Sequence, residues 1–399
     1  MTSPCYLDTN GSAPLSPAVE NYYKNRLETH GPYANPNANH YLGARCMMNI
    51  EKARRQVASL INCESSEIIF NSGSSEGISQ VFHHLIIEKV KNQTAKNHIV
   101  ISELEHSAVK QSANHLESLG FTVHRVSVTE QGEINFSELS QIVQANAEHI
   151  ALVSIMAANN ETGVIQPYKE IAELCQQHEI LFFSDTTQII GKEEFNFADS
   201  GMSIACMSAH KIGGPTGVGA LIVRKGLKIS PMIFGGNQEK GIRGGTQNYF
   251  GIEGFGVACQ ETKEKLIKLE ELRFKRDKFE EKLLERFPGT VIFGKDVNRV
   301  ANTSYISVPR VLNTDLQFHL QAKKIYVTTG SACSDQSKSI SPILKAMNVS
   351  IPIGHGATRL SFSVGLLYSN WDELEETIFS CIQSSVKKET EYSPLNKFL

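Results

Sequence analysis

Two charged side chains stand at the ends of neighbouring apolar segments. Asp185 closes the run Phe182-Phe-Ser-Asp, and Lys211 follows Met207-Ser-Ala-His. An aspartate at the end of an apolar strand is costly unless a cation or hydrogen-bond donor faces it. A protonated pyridine nitrogen is such a partner, and a nearby lysine can form a Schiff base with an aldehyde. The pair predicts pyridoxal 5'-phosphate carried on Lys211, with a structural Asp–Lys ion pair as the alternative.

A phosphate group needs backbone N–H groups at the start of a helix together with hydroxyl groups. The segment Asn71-Ser-Gly-Ser-Ser-Glu-Gly opens a predicted helix and offers Gly73, Ser74 and Ser75. Serine-rich helix starts are common, so this segment alone is a weak signal. Ser208 and His210 would add donors from the opposite side. His106 directly follows a predicted strand and could stack on a planar ring, although a lone histidine is more often structural.

The eight cysteines are scattered and contain no Cys-x-x-Cys pair, so we expect neither a disulfide framework nor a metal site. Most of them are best interpreted as small buried apolar residues. Cys333 differs, because it lies in the polar segment Thr328-Thr-Gly-Ser-Ala-Cys-Ser-Asp-Gln-Ser-Lys-Ser. A thiol in such a segment is accessible to solvent, which is where cysteine chemistry occurs.

Alternating strands and helices are predicted to position these groups. The predicted strands cover residues 98–102, 122–128, 150–156, 180–184, 204–207 and 219–223, and the predicted helices include 107–119, 136–146 and 168–178. This alternation indicates an α/β fold with a mainly parallel sheet covered on both faces. Ligands of such sheets bind at the carboxyl ends of the strands, where Glu105-His106, Asn159-Asn160, Asp185 and Ser208 to Lys211 would lie.

The last third of the chain has a different composition. A long charged helix is predicted over about 259–287, with Leu266, Leu269, Leu272, Phe279 and Leu283 on one face. We expect it to lead into a smaller α+β domain. The predicted division is a large cofactor-binding domain over 16–260 and a small domain formed by 1–15 and 261–399, which carries the Cys333 loop at about 328–341.

The composition restricts the class of protein. The 399 residues are 41% hydrophobic and 20% charged, as in a globular protein, and the formal net charge of −3 argues against direct nucleic-acid binding. The first residues do not resemble a signal peptide, and no apolar run is long enough to cross a membrane. We therefore expect a cytoplasmic protein.

Ten short motifs resemble the NifS/IscS-type cysteine desulfurases, which are fold-type I pyridoxal-phosphate enzymes, and they occur in the order found in that family. They are Tyr6-Leu-Asp, Asn35-Pro, Ser72-Gly-x-x-Glu76, Glu105-His106, Asn159-Asn-Glu-x-Gly163, Asp185-x-Thr-Gln188, His210-Lys-x-x-Gly-Pro215, Arg243-x-Gly-Thr246, Gly330-Ser-Ala-Cys333 and Thr358-Arg-x-Ser361. The resemblance implies a large domain with a seven-stranded sheet, a small domain and a homodimer.

The resemblance also implies roles for the matching residues. Lys211 would carry the cofactor and move protons, Asp185 would pair with the pyridine nitrogen, His106 would stack on the ring and Gln188 would contact the phenolate oxygen. Phosphate would be bound by Ser74, Ser75, Ser208, His210 and, from a second subunit, Thr246. Arg359, Asn160 and Asn35 would bind the substrate, with Asn160 also contacting the cofactor.

In the family, the thiolate that corresponds to Cys333 attacks the sulfur of bound L-cysteine, which leaves alanine and an enzyme persulfide. The short Gly-Ser-Ala-Cys motif with a long polar segment after it resembles the group whose mobile loop delivers sulfur to an acceptor protein. Two other hypotheses stay open: a relative that cleaves selenocysteine or cysteine sulfinate, and a catalytically idle scaffold subunit.

The chain departs from the family pattern at a few positions. It has Asn10-Gly-Ser-Ala13 where Ala-Thr-Thr is usual, Ser74-Ser75 for Ala-Thr, and Ser79 for Asn. The segment Ser361-Phe-Ser-Val-Gly365 is two residues longer than usual, and the tail after Leu395 is shorter than the IscS tail that helps to dock a scaffold protein. No catalytic group is lost, but the identity of the acceptor stays open.

Overall fold

The computed structural model describes residues 4–92, 95–329 and 340–387. The strands are β1 (Cys5–Tyr6), β2 (Ile68–Asn71), β3 (His98–Ser102), β4 (Thr122–Val126), β5 (Ile150–Ser154), β6 (Leu181–Asp185), β7 (Ile204–Ser208), β8 (Gly219–Val223), β9 (Val291–Ile292), β10 (Thr303–Ser307), β11 (Ile325–Tyr326) and β12 (Ala357–Ser361). Within the described ranges, no helix is both long and apolar enough to span a membrane.

The helices surround these strands. They are α1 (Pro17–Glu28), α2 (Tyr41–Ile61), α3 (Ser74–Asn92), α4 (Ser107–Ser118), α5 (Phe136–Asn146), α6 (Tyr168–Gln177), α7 (Tyr249–Lys265), α8 (Leu269–Arg286), α9 (Asn313–Ala322), α10 (Pro342–Ala346), α11 (Ile351–His355) and α12 (Trp371–Ser385).

The central sheet has seven strands in the order β2-β8-β7-β6-β5-β3-β4. Neighbouring strands from β4 through β7 are parallel, whereas β8 is antiparallel to both β7 and β2. The predicted mainly parallel, seven-stranded sheet is therefore confirmed. The carboxyl ends of β3, β5, β6 and β7 lie at one edge, because these strands run in the same direction.

Two predicted strands end earlier than expected. The strand predicted over 122–128 ends at Val126, because the backbone N–H of Ser127 donates to the Glu138 carboxylate at 2.9 Å. The strand predicted over 150–156 ends at Ser154, and the N–H of Met156 donates to Oε1 of Glu105 at 2.9 Å. In both places a backbone N–H beyond the end of the strand donates to a carboxyl group.

The prediction of a single charged helix over 259–287 is wrong. A 3-10 turn at Leu266–Lys268 separates α7 from α8. The apolar face was predicted correctly for α8, where Leu269, Leu272, Phe279 and Leu283 are buried. The helical period alone could not show the turn, because its residues continue the same pattern of charged and apolar side chains.

The sheet separates two apolar cores. The adjacent residues Phe182 and Phe183 on β6 point into different cores, as the alternation of side chains along a strand requires. A third core joins residues 5–7 to α8, β10, α9, β12 and α12. This third core supports our proposal that the first residues fold with the last third of the chain as a small domain.

Candidate active site

A cleft of about 270 Å³ opens at the carboxyl ends of β3, β5, β6 and β7, next to the start of α3. Its lining includes the segments that follow these strands and a residue of β12. Ten of the residues predicted from the sequence lie together here: Ser74, Ser75, His106, Asn160, Asp185, Gln188, Ser208, His210, Lys211 and Arg359.

Two of the other predicted site residues, Asn35 and Thr246, do not line this cleft. Asn35 and Thr246 are exposed and lie elsewhere on the surface. Cys333 lies outside the described residues. One chain therefore brings most of the predicted site residues together in this cleft, whereas Asn35 and Thr246 lie outside it.

Lys211 is held by the N-terminal segment. It ends the 3-10 turn Ala209–Lys211 that follows β7, and its Nζ donates to the carbonyl oxygens of Asn10 at 2.8 Å and Gly11 at 2.6 Å. The turn is anchored to the same segment, because the N–H of Ala13 donates to the carbonyl of His210 at 2.8 Å. These contacts place the amine at the cleft, within reach of a bound aldehyde.

Asp185 is the last residue of β6 and is 7% exposed. Its Oδ1 accepts hydrogen bonds from the N–H of Thr187 at 3.0 Å and from Sγ of Cys206 at 3.6 Å. Both hydrogen bonds that we find for this carboxyl group in the described part of the chain use Oδ1. The other oxygen is therefore suited to a cationic donor in the cleft, such as a protonated pyridine nitrogen.

Three hydroxyl groups meet at the start of α3. Oγ of Ser74 lies 2.6 Å from Oγ1 of Thr187 and 2.9 Å from Oγ of Ser208, which also accepts the Ser74 N–H at 2.8 Å. The preceding Gly73 has φ of 145°, and a Cβ there would lie 3.3 Å from Oγ of Ser208. Glycine lets the backbone approach the hydroxyls and leaves room for an anion at this helix start.

Two histidine rings border the cleft, and each is held by a hydrogen bond. Nδ1 of His106 caps α4 by accepting the N–H of Ala108 at 3.1 Å, which fixes the ring. Nδ1 of His210 lies 3.0 Å from Oγ of Ser12. Burial, with the nearby cations Lys211 and Lys192, lowers the pKa of His210 to about 4, so this ring is neutral at pH 7.

Arg359 reaches the cleft from β12. Its Nη1 donates to the carbonyl of Asn160 at 2.7 Å, and its Nη2 donates to Oδ1 of Asp8 at 2.5 Å. Its buried Nε has no hydrogen-bond partner among the residues that the structure describes. The guanidinium is thus a fixed cation that still has an unused donor, which suits a carboxylate substrate.

Three residues at or beside the cleft had no role assigned from the sequence. Asn10 is buried and its Nδ2 donates to Oγ1 of Thr303 at 2.8 Å, while Lys192 is buried behind Gln188. Glu105 is 2% exposed, and burial raises its pKa to about 8. Two of these residues could have been found from the sequence, because Asn10 lies in the segment that departs from the family pattern and Glu105 lies in a family motif. The sequence contains no comparable signal for Lys192.

These groups fit pyridoxal phosphate. The hydroxyl cluster at α3 suits its phosphate, Asp185 suits the pyridine nitrogen, and the amine of Lys211 suits the aldehyde. The fixed ring of His106 borders the same space. Each part of the cofactor therefore has a matching group in one cleft.

The class-V aminotransferase family model matches residues 5–375. The chain is 35% identical to the cysteine desulfurase IscS of Dictyoglomus turgidum over 94% of this chain and 92% of that protein. A solved structure of a NifS-like protein aligns with a TM-score of 0.85 at 32% identity, covering 96% of this chain and 100% of that one. A structure described as SspA in complex with cysteine aligns with a TM-score of 0.77 at 27% identity, covering 90% of this chain and 98% of that one. The predicted resemblance and fold are confirmed: the chain belongs to the class-V aminotransferase family and, within it, to the NifS/IscS-type cysteine desulfurases.

Proposed function

We propose that this protein is a pyridoxal-phosphate-dependent cysteine desulfurase that converts L-cysteine to L-alanine and holds the released sulfur as a persulfide on Cys333. The observation that carries the proposal is the convergence of Lys211, Asp185 and Arg359 on one cleft. The IscS relative is named as a cysteine desulfurase, and the related SspA structure contains cysteine.

The contacts of the site support the proposed cofactor-binding roles. The hydroxyl groups of Ser74 and Ser208 would bind phosphate with Ser75 and His210, and Asp185 would hold the pyridine nitrogen in its protonated form. When bound, pyridoxal phosphate withdraws electrons from the substrate carbon atoms. Lys211 would form the Schiff base, and its amine would then be placed to move protons at the substrate.

Arg359 and Asn160 would hold the substrate carboxylate. The Cys333 thiolate then attacks the substrate sulfur. The new S–S bond forms as the C–S bond breaks, and the electron pair of the C–S bond stays with the substrate carbon. Protonation of that carbon gives the methyl group of alanine.

We also propose a homodimer in which Thr246 contributes to the phosphate site of the other subunit. Thr246 is exposed, and the next residue, Gln247, accepts a hydrogen bond from Nδ2 of Asn37 at 3.1 Å, which connects this segment to the one that carries Asn35. Exposed apolar side chains occur near both segments along the chain: Tyr41 and Met48 follow Asn35, and Phe234 precedes Thr246. Exposed apolar surface of this kind is expected at a protein interface. A second copy of the chain would bury it and bring Thr246 and Asn35 toward a cleft.

The subunit arrangement can be tested with mixed dimers. A Thr246→Asp chain would repel phosphate in its partner's site, and a Lys211→Ala chain would disable its own site. Random mixing should restore about a quarter of the wild-type sites, because half of the dimers then contain one intact site. No recovery after mixing would contradict a contribution of Thr246 across the interface.

We propose a cytoplasmic location and an acceptor protein that removes the sulfur. The seven cysteines in the described part of the chain are unpaired, which is typical of a reducing compartment. A persulfide on Cys333 needs a protein acceptor if its sulfur is to be kept from the solvent. Capture of partners by the persulfide-loaded enzyme tests this proposal.

The desulfurase proposal is tested by measuring alanine and sulfide formed from L-cysteine in the presence of a thiol. Cys333→Ala should abolish the activity with cysteine and leave the visible absorbance of the bound cofactor unchanged. Retained cleavage of selenocysteine by this variant is compatible with the proposal, because that substrate needs no thiolate attack. Undiminished turnover of cysteine by Cys333→Ala would contradict the proposal.

A further inference from the structure

One lysine is buried beside the cleft without lining it. Lys192 is 5% exposed and lies seven residues after the end of β6. Its Nζ donates a hydrogen bond to Oε1 of Gln188, and its carbonyl oxygen accepts the N–H of Ala301 at 3.2 Å. Burying a lysine costs free energy, because its ammonium group loses its hydration.

The contact with Gln188 determines which way that amide points. A protonated lysine has three donors and no acceptor, so only the carbonyl oxygen of an amide can face it. The Nε2 group of Gln188 must then point the other way, where it donates to the carbonyl of Asn10 at 3.0 Å. Gln188 itself lines the cleft. Without a donor at position 192, Oε1 of Gln188 would lose this hydrogen bond, and only the contact of Nε2 with the Asn10 carbonyl would hold the amide in its orientation.

The charges around Lys192 suggest a compensating anion in the cleft. Burial and the neighbouring cations Lys211 and Arg359 hold the pKa of Lys192 well below its ordinary value. Arg359 is paired with the carboxylate of Asp8. An anionic oxygen bound in the cleft would stabilise the protonated lysine and would in turn be stabilised by it.

We propose that Lys192 is a positioning residue that makes Gln188 present its Nε2 donor to the ring oxygen of the bound cofactor. Lys192 acts through Gln188 and does not contact the cofactor. The inference rests on the proposed pyridoxal-phosphate function. It adds Lys192, which lies in none of the motifs quoted above, to the residues of the site. It also gives a role to a lysine that is buried next to two other cations.

The test is a pH titration of the visible absorbance of the purified, cofactor-loaded protein. Loss of an oriented donor destabilises the ionised ring oxygen, so Lys192→Met should move the spectral midpoint upward by about one pH unit. Gln188→Glu keeps the acceptor for Lys192 but removes the donor, and it should move the midpoint at least as far.

The double variant should move the spectral midpoint no further than Gln188→Glu alone, because both changes remove the same contact. Lys263→Met, at an exposed lysine on α7, is the matched control.

A second measurement separates positioning from a structural role. In the cofactor-free protein, Lys192→Met should leave the melting temperature unchanged or raise it, since an apolar side chain replaces a buried cation. An unchanged spectral midpoint in Lys192→Met or Gln188→Glu, or additive shifts in the double variant, would overturn the proposal. A wild-type protein that binds no pyridoxal phosphate would instead refute the proposed function, so the two failures are distinguishable.

Discussion

Nη2 of Arg359 lies 2.5 Å from Oδ1 of Asp8, so the cation expected to bind the substrate is already paired with a carboxylate of the N-terminal segment. The guanidinium is almost fully buried, whereas the Asp8 side chain is partly exposed. A substrate carboxylate that makes two parallel contacts would use Nε, which has no partner among the described residues, together with the Nη2 that contacts Asp8. The pairing keeps Arg359 extended into the cleft before substrate arrives, which reduces the entropy lost on binding.

Arg359→Lys is expected to raise the KM for cysteine and to lower kcat/KM by about tenfold to a hundredfold, because an ammonium group cannot make the two parallel contacts of a guanidinium. Steady-state kinetics of alanine formation measures this effect. The cofactor absorbance should be unchanged. Arg286→Lys, at an exposed ion pair with Glu376, is the matched control. Equal KM values for the wild type and Arg359→Lys would contradict the assigned role.

The buried carboxyl group of Glu105 predicts a specific pH dependence of stability. Burial raises its pKa from 4.5 to about 8 in the folded chain, so folding takes up a proton between these pH values. The stabilisation present at low pH is therefore lost as the pH rises toward 8. Glu105→Gln keeps an acceptor for the N–H of Met156 and removes the titration.

Urea unfolding of the cofactor-free protein at several pH values between about 5 and 8 measures this difference. The free energy of unfolding of the wild type should fall relative to that of Glu105→Gln as the pH rises. Parallel pH profiles for the two proteins would show that Glu105 does not titrate in this range.

The hydroxyl of Ser208 contacts both Oγ and the N–H of Ser74 at the start of α3. Ser208→Ala is expected to weaken pyridoxal-phosphate binding by about tenfold, the effect of losing one hydrogen bond to a charged group. Equilibrium dialysis of the cofactor measures the change. Ser118→Ala, at the exposed end of α4, should have no effect. Unchanged affinity in Ser208→Ala would place the phosphate elsewhere.

Asn10 connects the N-terminal segment to both proposed domains. Its side chain contacts Thr303 at 2.8 Å and Asn302 at 3.1 Å, and its carbonyl oxygen accepts from Lys211 at 2.8 Å. Asn10→Ala is expected to lower the free energy of unfolding by about 1–3 kcal/mol, because it leaves buried polar partners unpaired. Denaturant unfolding measures the loss. The exposed Asn114→Ala is the control, and equal losses in the two variants would contradict this role.

The sequence was sufficient to predict six of the seven strands of the central sheet, all except β2, and to bring most of the candidate site residues to one edge. The strands containing Phe182 and Met207 are short apolar runs, and parallel strands bring their carboxyl ends to one edge. Asp185 and Lys211 could therefore be placed together from the order and pattern of residues alone. The order of the motifs then pointed to the family.

The contacts of the N-terminal segment could not be predicted in the same way. Cys5 pairs with Ile325, and Lys211 contacts Asn10, across separations of about 200 residues or more for which the sequence has no periodic signal. Lys192 was missed for a different reason. A lysine is ordinarily exposed, so its burial behind Gln188 depends on packing that a single sequence does not reveal.

The most direct measurement is peptide mass spectrometry of the purified protein after brief exposure to L-cysteine and blocking of free thiols. We expect one additional sulfur atom on the peptide containing Cys333, and none on the partly exposed Cys63. The added sulfur should be absent from Lys211→Ala, which cannot carry the cofactor. An unmodified Cys333 peptide in a protein that is forming alanine from cysteine would contradict sulfur transfer through Cys333.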